Sequence, residues 1–265
     1  MPDPATLAEA FASRHIPFEA AFNFRDVGGY ATERGGRVRR GRLFRAGALH
    51  RMSAADAERA RRLRIVSVID LRRPDERAAV PLGPLVDGGA RHHAIDVIPE
   101  GGSAILDARY GAGISGPRYV GYLELGAARF AEALRLLAEP ATLPAVVHCS
   151  AGKDRTGTLV AVLLELLGVA RDDVIADYAM SNLDVDRQLG WARAAGALRD
   201  DGNREGVDPS EALRRSLLVP VEAIEHFLDH LDRAYGSVAG FAEWIGVDAR
   251  TVAALRASLV DGTGA

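Results

Sequence analysis

The residues of this 265-residue chain that are best suited to chemistry lie in one decapeptide, HCSAGKDRTG at positions 148–157, which we call the cysteine loop. It holds the only cysteine, Cys149, and the only lysine, Lys153, in a chain whose other basic residues are all arginine. Cys149 and Arg155 have the spacing Cys-x5-Arg, and apolar runs precede and follow the loop. This pattern predicts a cradle for an anion of phosphate size with a nucleophile at its base.

The order of elements around the loop supports this chemistry. A strand, the loop and then a helix would gather backbone N–H groups at a helix N-terminus, which favours an anion and stabilises the thiolate of Cys149. Arg155 can bind two phosphate oxygens through its planar fork, and Gly152 lets the backbone turn close to a ligand. We expect Thr156 to donate its hydroxyl to the sulfur, and Lys153 to offer a second charge to a nearby phosphate or carboxylate. The predicted phosphate-binding residues are Ser150, Ala151, Gly152, Lys153 and Thr156.

The composition is that of an ordinary globular protein, with 48% hydrophobic and 26% charged residues. A formal net charge of −3 provides no basic excess, so we expect no nucleic-acid partner and no general binding to membrane surfaces. The N-terminal segment has no apolar core of a secretory signal, and no apolar run reaches the roughly 18 residues of a membrane span. We therefore expect a cytoplasmic protein, with signal-independent export left open. One cysteine excludes intrachain disulfides and multi-cysteine metal sites.

Apolar runs and turn residues predict the elements that position the loop. Strands are predicted at 22–27, 42–46, 65–71, 91–97 and 144–148, and helices at 54–63, 119–137, 158–167, 172–181, 184–198, 221–235, 238–245 and 249–259. Gly101, Gly102 and the Gly-rich segment 111–116 are interpreted as a flexible loop, and the polar segment 199–209 as a mobile connection. The absence of repeats and low-complexity linkers predicts a single domain over residues 1–265.

The decapeptide resembles the signature loop of cysteine-dependent protein tyrosine phosphatases. With Asp154 between Lys153 and Arg155, it is similar to the bacterial tyrosine and dual-specificity branch that also acts on phosphoinositides. Further similarities, which extend the resemblance to roughly residues 20–260, lie at 23–29, 41–47, 68–72, 177–182 and 235–237. The resemblance implies an α/β phosphatase fold, with a central, mostly parallel sheet flanked by helices and a helical C-terminal part.

The resemblance also implies a two-step reaction without metal or cofactor, in which Cys149 attacks phosphorus and water hydrolyses the resulting phosphocysteine. A general acid must protonate the leaving oxygen. In the wider superfamily this acid is an aspartate in an upstream Trp-Pro-Asp run, which this chain lacks. The resemblance to the bacterial branch implies Asp154 instead, unless that carboxylate only holds Arg155 or a backbone turn. Asp96, after a predicted strand, is the alternative acid, and Asp70 is interpreted mainly as orienting an arginine.

Other polar residues are assigned supporting roles. Arg25, Asp26 and Arg45 are predicted to form buried or half-buried ion pairs near the cysteine loop, and His148 to support the loop without acid–base chemistry. The adjacent pair His92-His93 points to opposite faces of a predicted strand, so a shared metal ion is not expected.

These observations predict a cysteine-dependent phosphomonoesterase, foremost a protein-tyrosine phosphatase acting on phosphotyrosine proteins. Dual-specificity or phosphoinositide hydrolysis is the alternative. A phosphate-binding pseudophosphatase is disfavoured because Cys149, Arg155 and Thr156 are all present. A sulfurtransferase is disfavoured by the Arg-Thr-Gly ending of the loop.

Overall fold

The computed structural model describes residues 3–196 and 208–262. The strands are β1 (Arg25–Asp26), β2 (Arg37–Val38), β3 (Leu43–Ala46), β4 (Ser67–Asp70), β5 (Arg91–Ala94), β6 (Ala145–His148) and β7 (Val260–Asp261). Five of them form the main sheet in the order β1-β3-β6-β4-β5, in which only β1 runs antiparallel to its neighbour. β2 and β7 form a separate antiparallel pair.

Helices surround the main sheet and make up most of the C-terminal part. They are α1 (Pro4–Ala12), α2 (Ala54–Arg61), α3 (Pro74–Ala78), α4 (Pro84–Asp87), α5 (Gly102–Tyr110), α6 (Gly116–Ala138), α7 (Asp154–Leu167), α8 (Arg171–Ala179), α9 (Val185–Ala194), α10 (Pro209–Leu217), α11 (Val221–Tyr235), α12 (Val238–Trp244) and α13 (Ala249–Leu259). Short 3-10 helices lie at Pro140–Thr142 and Met180–Asp184.

Helices cover both faces of the main sheet. Successive strand residues point to opposite sides, so each strand contributes side chains to both of the cores that result. One face packs against α6, α7 and the C-terminal helices in the larger core, and the other against α2 and α4 in a smaller core. The residues of β3, β4 and β6 that enter the larger core are Leu43, Ile69, Ala145 and Val147, and those that enter the smaller core are Phe44, Ala46, Val68 and Val146.

The fold confirms the predicted α/β class with a mostly parallel sheet flanked by helices and a helical C-terminal part. The predicted helices 221–235 and 249–259 have the observed bounds, and Asp248 caps the latter by accepting from the Thr251 N–H at 2.8 Å. The predicted helix start at Ser53 is confirmed by a capping box with Asp56.

The interpretation of 101–116 as a flexible loop was wrong, because α5 occupies most of it. Gly101 and Gly111, both with positive φ, flank this helix, so the glycines mark its two ends. The helix α10 was also missed, since Asp208 and Pro209 were assigned to a mobile connection but begin it. The rest of that predicted connection, 199–207, lies outside the described residues.

The parallel strands bring four chain segments to one edge of the main sheet. β3, β4, β5 and β6 all end there, so the residues that follow Ala46, Asp70, Ala94 and His148 meet at that edge. Within residues 3–196 and 208–262, no helix has both the length and the apolar character required to cross a membrane.

Candidate active site

The cysteine loop lies at the carboxyl end of β6, the central strand, and runs directly into α7. Cys149 is 1% exposed, at the base of the loop. Gly152 has φ +70°, and a Cβ on it would lie 2.4 Å from the carbonyl carbon of Ala46. The loop therefore packs against the end of β3 so closely that only glycine fits at this position.

Carbonyl groups of the loop are bound by donors from its supporting elements. The Ser150 carbonyl accepts from the Ala48 N–H at 3.0 Å. The Gly152 carbonyl accepts from Asn23 Nδ2 and Arg45 Nη2, each at 2.8 Å. In a trans peptide the N–H that follows points away from the carbonyl, so these contacts turn the next N–H groups toward the opposite side of the loop. Those N–H groups are then available to an anion.

Asp177, on α8, holds two buried arginines under the loop. Arg45 Nη1 donates to one carboxylate oxygen of Asp177, and Arg25 Nε donates to the other at 3.3 Å. Burial alone would raise the pKa of Asp177, but the charges and hydrogen bonds of the two arginines outweigh it and lower this pKa to about 2. The ion pairs predicted for Arg25 and Arg45 are thus present.

The prediction was wrong for Asp26, which makes no ion pair within the described part of the chain. Its carboxylate accepts from the N–H groups of Gly28 and Gly41, each at 2.7 Å. Asp26 therefore supports two backbone turns that lead into β3, and it contributes no countercharge to the arginines.

Arg155 is paired with Glu76, a residue that the sequence did not single out. The two guanidinium nitrogens Nη1 and Nη2 donate to the two Glu76 oxygens at 2.6 and 3.0 Å, and Ser150 Oγ also donates to this carboxylate. Burial would raise the pKa of Glu76, but these hydrogen bonds and the Arg155 charge lower it to about 2. This ion pair with Glu76 fixes the Arg155 guanidinium at the loop. The Nε–H group of Arg155 donates to no described residue.

Asp154 is the first residue of α7 and is half-buried beside Cys149 and Arg155 in the loop. Its Oδ1 accepts a hydrogen bond from the Tyr119 hydroxyl at 2.5 Å. The Tyr119 oxygen lies 2.7 Å from the hydroxyl oxygen of Tyr178. Neither tyrosine was identified as a site residue from the sequence, although Tyr178 lay in a segment of similarity.

Lys153 is only 4% exposed, and its Nζ donates to the carbonyl of Ser216 on α10 at 2.6 Å. Burial lowers the pKa of this lysine, while the charges of Asp154 and Cys149 oppose that change. The side chain therefore stays next to the loop but is held by a neighbouring helix.

The Thr156 hydroxyl is buried and has no hydrogen-bond partner among residues 3–196 and 208–262. The expected hydrogen bond from Thr156 to the Cys149 sulfur is not present. This hydroxyl, at the start of α7, is therefore free to donate a hydrogen bond to a ligand.

Asp70 lies at the end of β4, next to β6. Arg72 binds it through Nε and Nη2 at 2.9 and 2.7 Å, which agrees with a carboxylate that orients an arginine. His148 Nε2 lies 3.7 Å from Asp70, and burial lowers the pKa of His148 to about 4 despite this negative charge. His148 is therefore a neutral support beneath the loop, and its Nδ1 lies 3.2 Å from the Cys149 carbonyl oxygen.

Asp96, the alternative acid, is not brought to the loop by any contact in the described structure. It follows β5 at the edge of the sheet, where Arg77 Nη2 lies 3.8 Å from its carboxylate. Asp154 thus lies in the same loop as Cys149 and Arg155, whereas the ion pair that Asp96 makes among the described residues is with Arg77. Among the described residues, no three His, Cys, Asp or Glu side chains are placed to share a metal ion.

A buried cysteine in an anion-binding loop at the end of a central parallel strand, with an arginine six positions later, defines a cysteine-dependent phosphatase. The chain belongs to the tyrosine phosphatase family, whose sequence model matches residues 16–261. This confirms the family resemblance predicted from the cysteine loop and its flanking segments.

Named relatives agree with this assignment. The chain is 33% identical over 253 residues to a Cupriavidus necator protein provisionally named as a tyrosine-protein phosphatase, covering 89% of this chain and 86% of that protein. It is 31% identical over 284 residues to the triple specificity protein phosphatase PtpB of Mycobacterium tuberculosis, covering 94% and 99%. A tyrosine-protein phosphatase of Nostoc commune is 26% identical over 223 residues, covering 82% and 74%. The chain is therefore a phosphatase enzyme of this family.

Proposed function

We propose that this tyrosine phosphatase hydrolyses phosphomonoesters through a phosphocysteine on Cys149. In the first step the thiolate attacks phosphorus, the ester P–O bond breaks, and Asp154 gives its proton to the leaving oxygen. In the second step water attacks phosphorus, gives a proton to the Asp154 carboxylate, and the S–P bond breaks to regenerate the thiolate. The observation that carries the proposal is the loop geometry around Cys149, with its carbonyls bound outward and Arg155 and Asp154 alongside.

Arg155 can bind phosphate without releasing Glu76. Glu76 accepts from Nη1 and Nη2, and Nη2 has a further long contact of 3.5 Å with Ser150 Oγ, whereas Nε–H has no partner among the described residues. The Nε and Nη2 side of the fork is therefore available to two phosphate oxygens, while Glu76 holds the other side in place. The uncommitted Thr156 hydroxyl and the loop N–H groups supply further donors.

The proposed substrates are phosphotyrosine proteins in the first place, with wider specificity in addition. The similarity to a protein named as a triple specificity phosphatase supports activity beyond phosphotyrosine. Lys153, a cation beside the loop, supports acceptance of a substrate with a second phosphate, such as a phosphoinositide. Phosphotyrosine, phosphoserine and phosphothreonine peptides and phosphoinositides, assayed side by side with a chelator present, test this proposal.

Asp154→Asn tests the general acid. We expect kcat to fall about 100-fold or more for substrates with poor leaving groups, the usual scale of general-acid loss. With a very good leaving group, which needs no proton, the loss should shrink. The measurement is kcat across a series of aryl phosphates of graded leaving-group pKa.

Asp96→Asn is the matched control for this experiment, since it makes the same change in the competing carboxylate. We expect it to leave the leaving-group dependence unchanged, because Asp96 lies at the edge of the sheet beside Arg77. Equal losses for all leaving groups in Asp154→Asn would make Asp154 structural, and a selective loss in Asp96→Asn would transfer the acid role to that residue.

Lys153→Ala tests whether Lys153 recognises a second phosphate group on the substrate. To reach it, the ammonium must exchange the Ser216 carbonyl for a phosphate oxygen, a charge-assisted contact that contributes about 1–3 kcal/mol. Phosphoinositide hydrolysis should therefore fall at least several-fold more than phosphotyrosine hydrolysis, measured as kcat/KM. Lys153→Arg, which keeps the charge, should recover part of the difference. Equal losses on both substrates would remove Lys153 from substrate selection.

A further inference from the structure

We propose that Tyr119 is a positioning residue for Asp154, and that Tyr178 fixes the direction in which Tyr119 donates. The pair selects which carboxylate oxygen of Asp154 carries the catalytic proton. This inference rests on the proposed role of Asp154 as the general acid.

The geometry consists of two short hydrogen bonds in a buried place. Tyr119, on α6, is 0% exposed and donates to Asp154 Oδ1 at 2.5 Å. Tyr178, on α8, is 1% exposed, and its hydroxyl oxygen lies 2.7 Å from that of Tyr119. An ionised carboxylate can only accept, so the chain runs from Tyr178 through Tyr119 to Asp154.

The chain has one favoured direction even when Asp154 is protonated. If the proton were on Oδ1, Tyr119 would accept it and would have to donate to Tyr178. The Tyr178 hydroxyl hydrogen would then have no acceptor, because its oxygen bonds only to Tyr119 within the described part of the chain. Leaving a buried donor unpaired is costly, whereas an unused phenol lone pair costs much less. The proton is therefore directed to Oδ2.

Oδ2 is the oxygen that can serve the substrate. It accepts from no described residue, and Asp154 is half-buried at the first position of α7 within the loop. Burial raises the pKa of both phenols far above neutrality, which keeps Tyr119 and Tyr178 as neutral donors. Tyr119 thus acts through Asp154 and needs no contact with the substrate.

The position of Tyr178 also explains the last glycine of the cysteine loop. A Cβ on Gly157 would lie 2.8 Å from Cδ2 of the Tyr178 ring, so glycine lets this ring pack directly on α7. The neighbouring residue Asp177 holds the arginines under the loop. One helix, α8, therefore fixes both the loop backbone and the hydrogen-bond chain to its acid.

The test is Tyr119→Phe, which removes the donor and keeps the ring. We expect kcat to fall about 10-fold for poor leaving groups, the upper end of the scale for one hydrogen bond to an uncharged group. KM and the inhibition constant of inorganic phosphate should stay within about twofold, and the loss should shrink for very good leaving groups. In the double variant with Asp154→Asn, the Tyr119→Phe change should cause no further loss.

Two more variants complete the design. Tyr178→Phe should give a smaller loss of the same leaving-group dependence, because Tyr119 can still donate to Oδ1 but is no longer itself held by a hydrogen bond from Tyr178. Tyr110→Phe is the matched control, since it removes a hydroxyl that donates to Glu124 at 2.7 Å away from the loop, and it should leave kcat unchanged. Should Tyr119→Phe not fold, as judged by thermal melting, Tyr178→Phe carries the test alone.

The outcomes separate this inference from the proposal that it rests on. If Asp154→Asn shows no leaving-group dependence, the acid assignment itself is wrong. If Asp154→Asn shows it, but Tyr119→Phe loses equally on all substrates or adds its loss to that of Asp154→Asn, the tyrosine only stabilises the fold and the inference is overturned.

Discussion

Cys149→Ser should abolish turnover and leave oxyanion binding nearly intact. A serine hydroxyl at this position stays protonated at neutral pH and is a far weaker nucleophile than a thiolate. The loop N–H groups and Arg155 do not depend on the sulfur, so phosphate should still bind. We expect kcat to fall by at least about four orders of magnitude, the scale of nucleophile loss in hydrolases.

Because Cys149 is the only cysteine of the chain, a phosphocysteine can form at one position only. In an acid-quenched reaction of the wild type, mass spectrometry should find one phosphoryl group, and it should map to the peptide that contains Cys149. Cys149→Ser should show none, while its affinity for inorganic phosphate, measured by calorimetry, should change less than about threefold. Turnover within a few-fold of wild type, or a phosphoryl group elsewhere in the chain, would contradict the proposed intermediate.

Much of the fold follows from local pattern. The segment 65–71 is a short β-branched run, and it forms β4 with both faces buried, as such runs do in parallel sheets. The helix 221–235 has an apolar stripe at helical spacing and forms α11 with those residues in the larger core. By contrast, α5 was missed because its glycines were interpreted as part of a flexible loop, although Gly101 and Gly111 lie at the two ends of this helix. The two-residue strands β2 and β7 are too short to carry a pattern.

The site also contains some residues that local sequence pattern predicts and others that it does not. Residues 149–156 are adjacent in sequence, and their spacing was sufficient to assign an anion-binding loop with a nucleophile. Glu76 could not be found by this reasoning, because an acidic residue in the first turn of a helix is ordinary and only the order of the strands places it at Arg155. Tyr119 lies on the buried face of a long amphipathic helix, where a tyrosine is commonly part of the core. Its role depends on the hydroxyl's direction, which is a tertiary property.

Arg155→Lys should also be severe, although less so than the loss of the nucleophile. A lysine can satisfy the charge of Glu76, but a single ammonium cannot hold Glu76 and two phosphate oxygens in fixed directions at once. Losing a donor that binds charge in the transition state costs about 100- to 1,000-fold in rate. We therefore expect kcat/KM to fall by at least that factor on every substrate, together with weaker binding of phosphate and vanadate.

Arg129→Lys is the control, because Arg129 is also paired with a glutamate, through a single hydrogen bond to Glu132 at 2.7 Å on the exposed side of α6. It should leave kcat/KM and oxyanion affinity unchanged. The loss in Arg155→Lys should not depend on the leaving group, because the guanidinium binds phosphoryl oxygens and not the departing one. That independence distinguishes it from Asp154→Asn. A loss below about tenfold would mean that the phosphate is held chiefly by the loop N–H groups, with Arg155 serving mainly to neutralise Glu76.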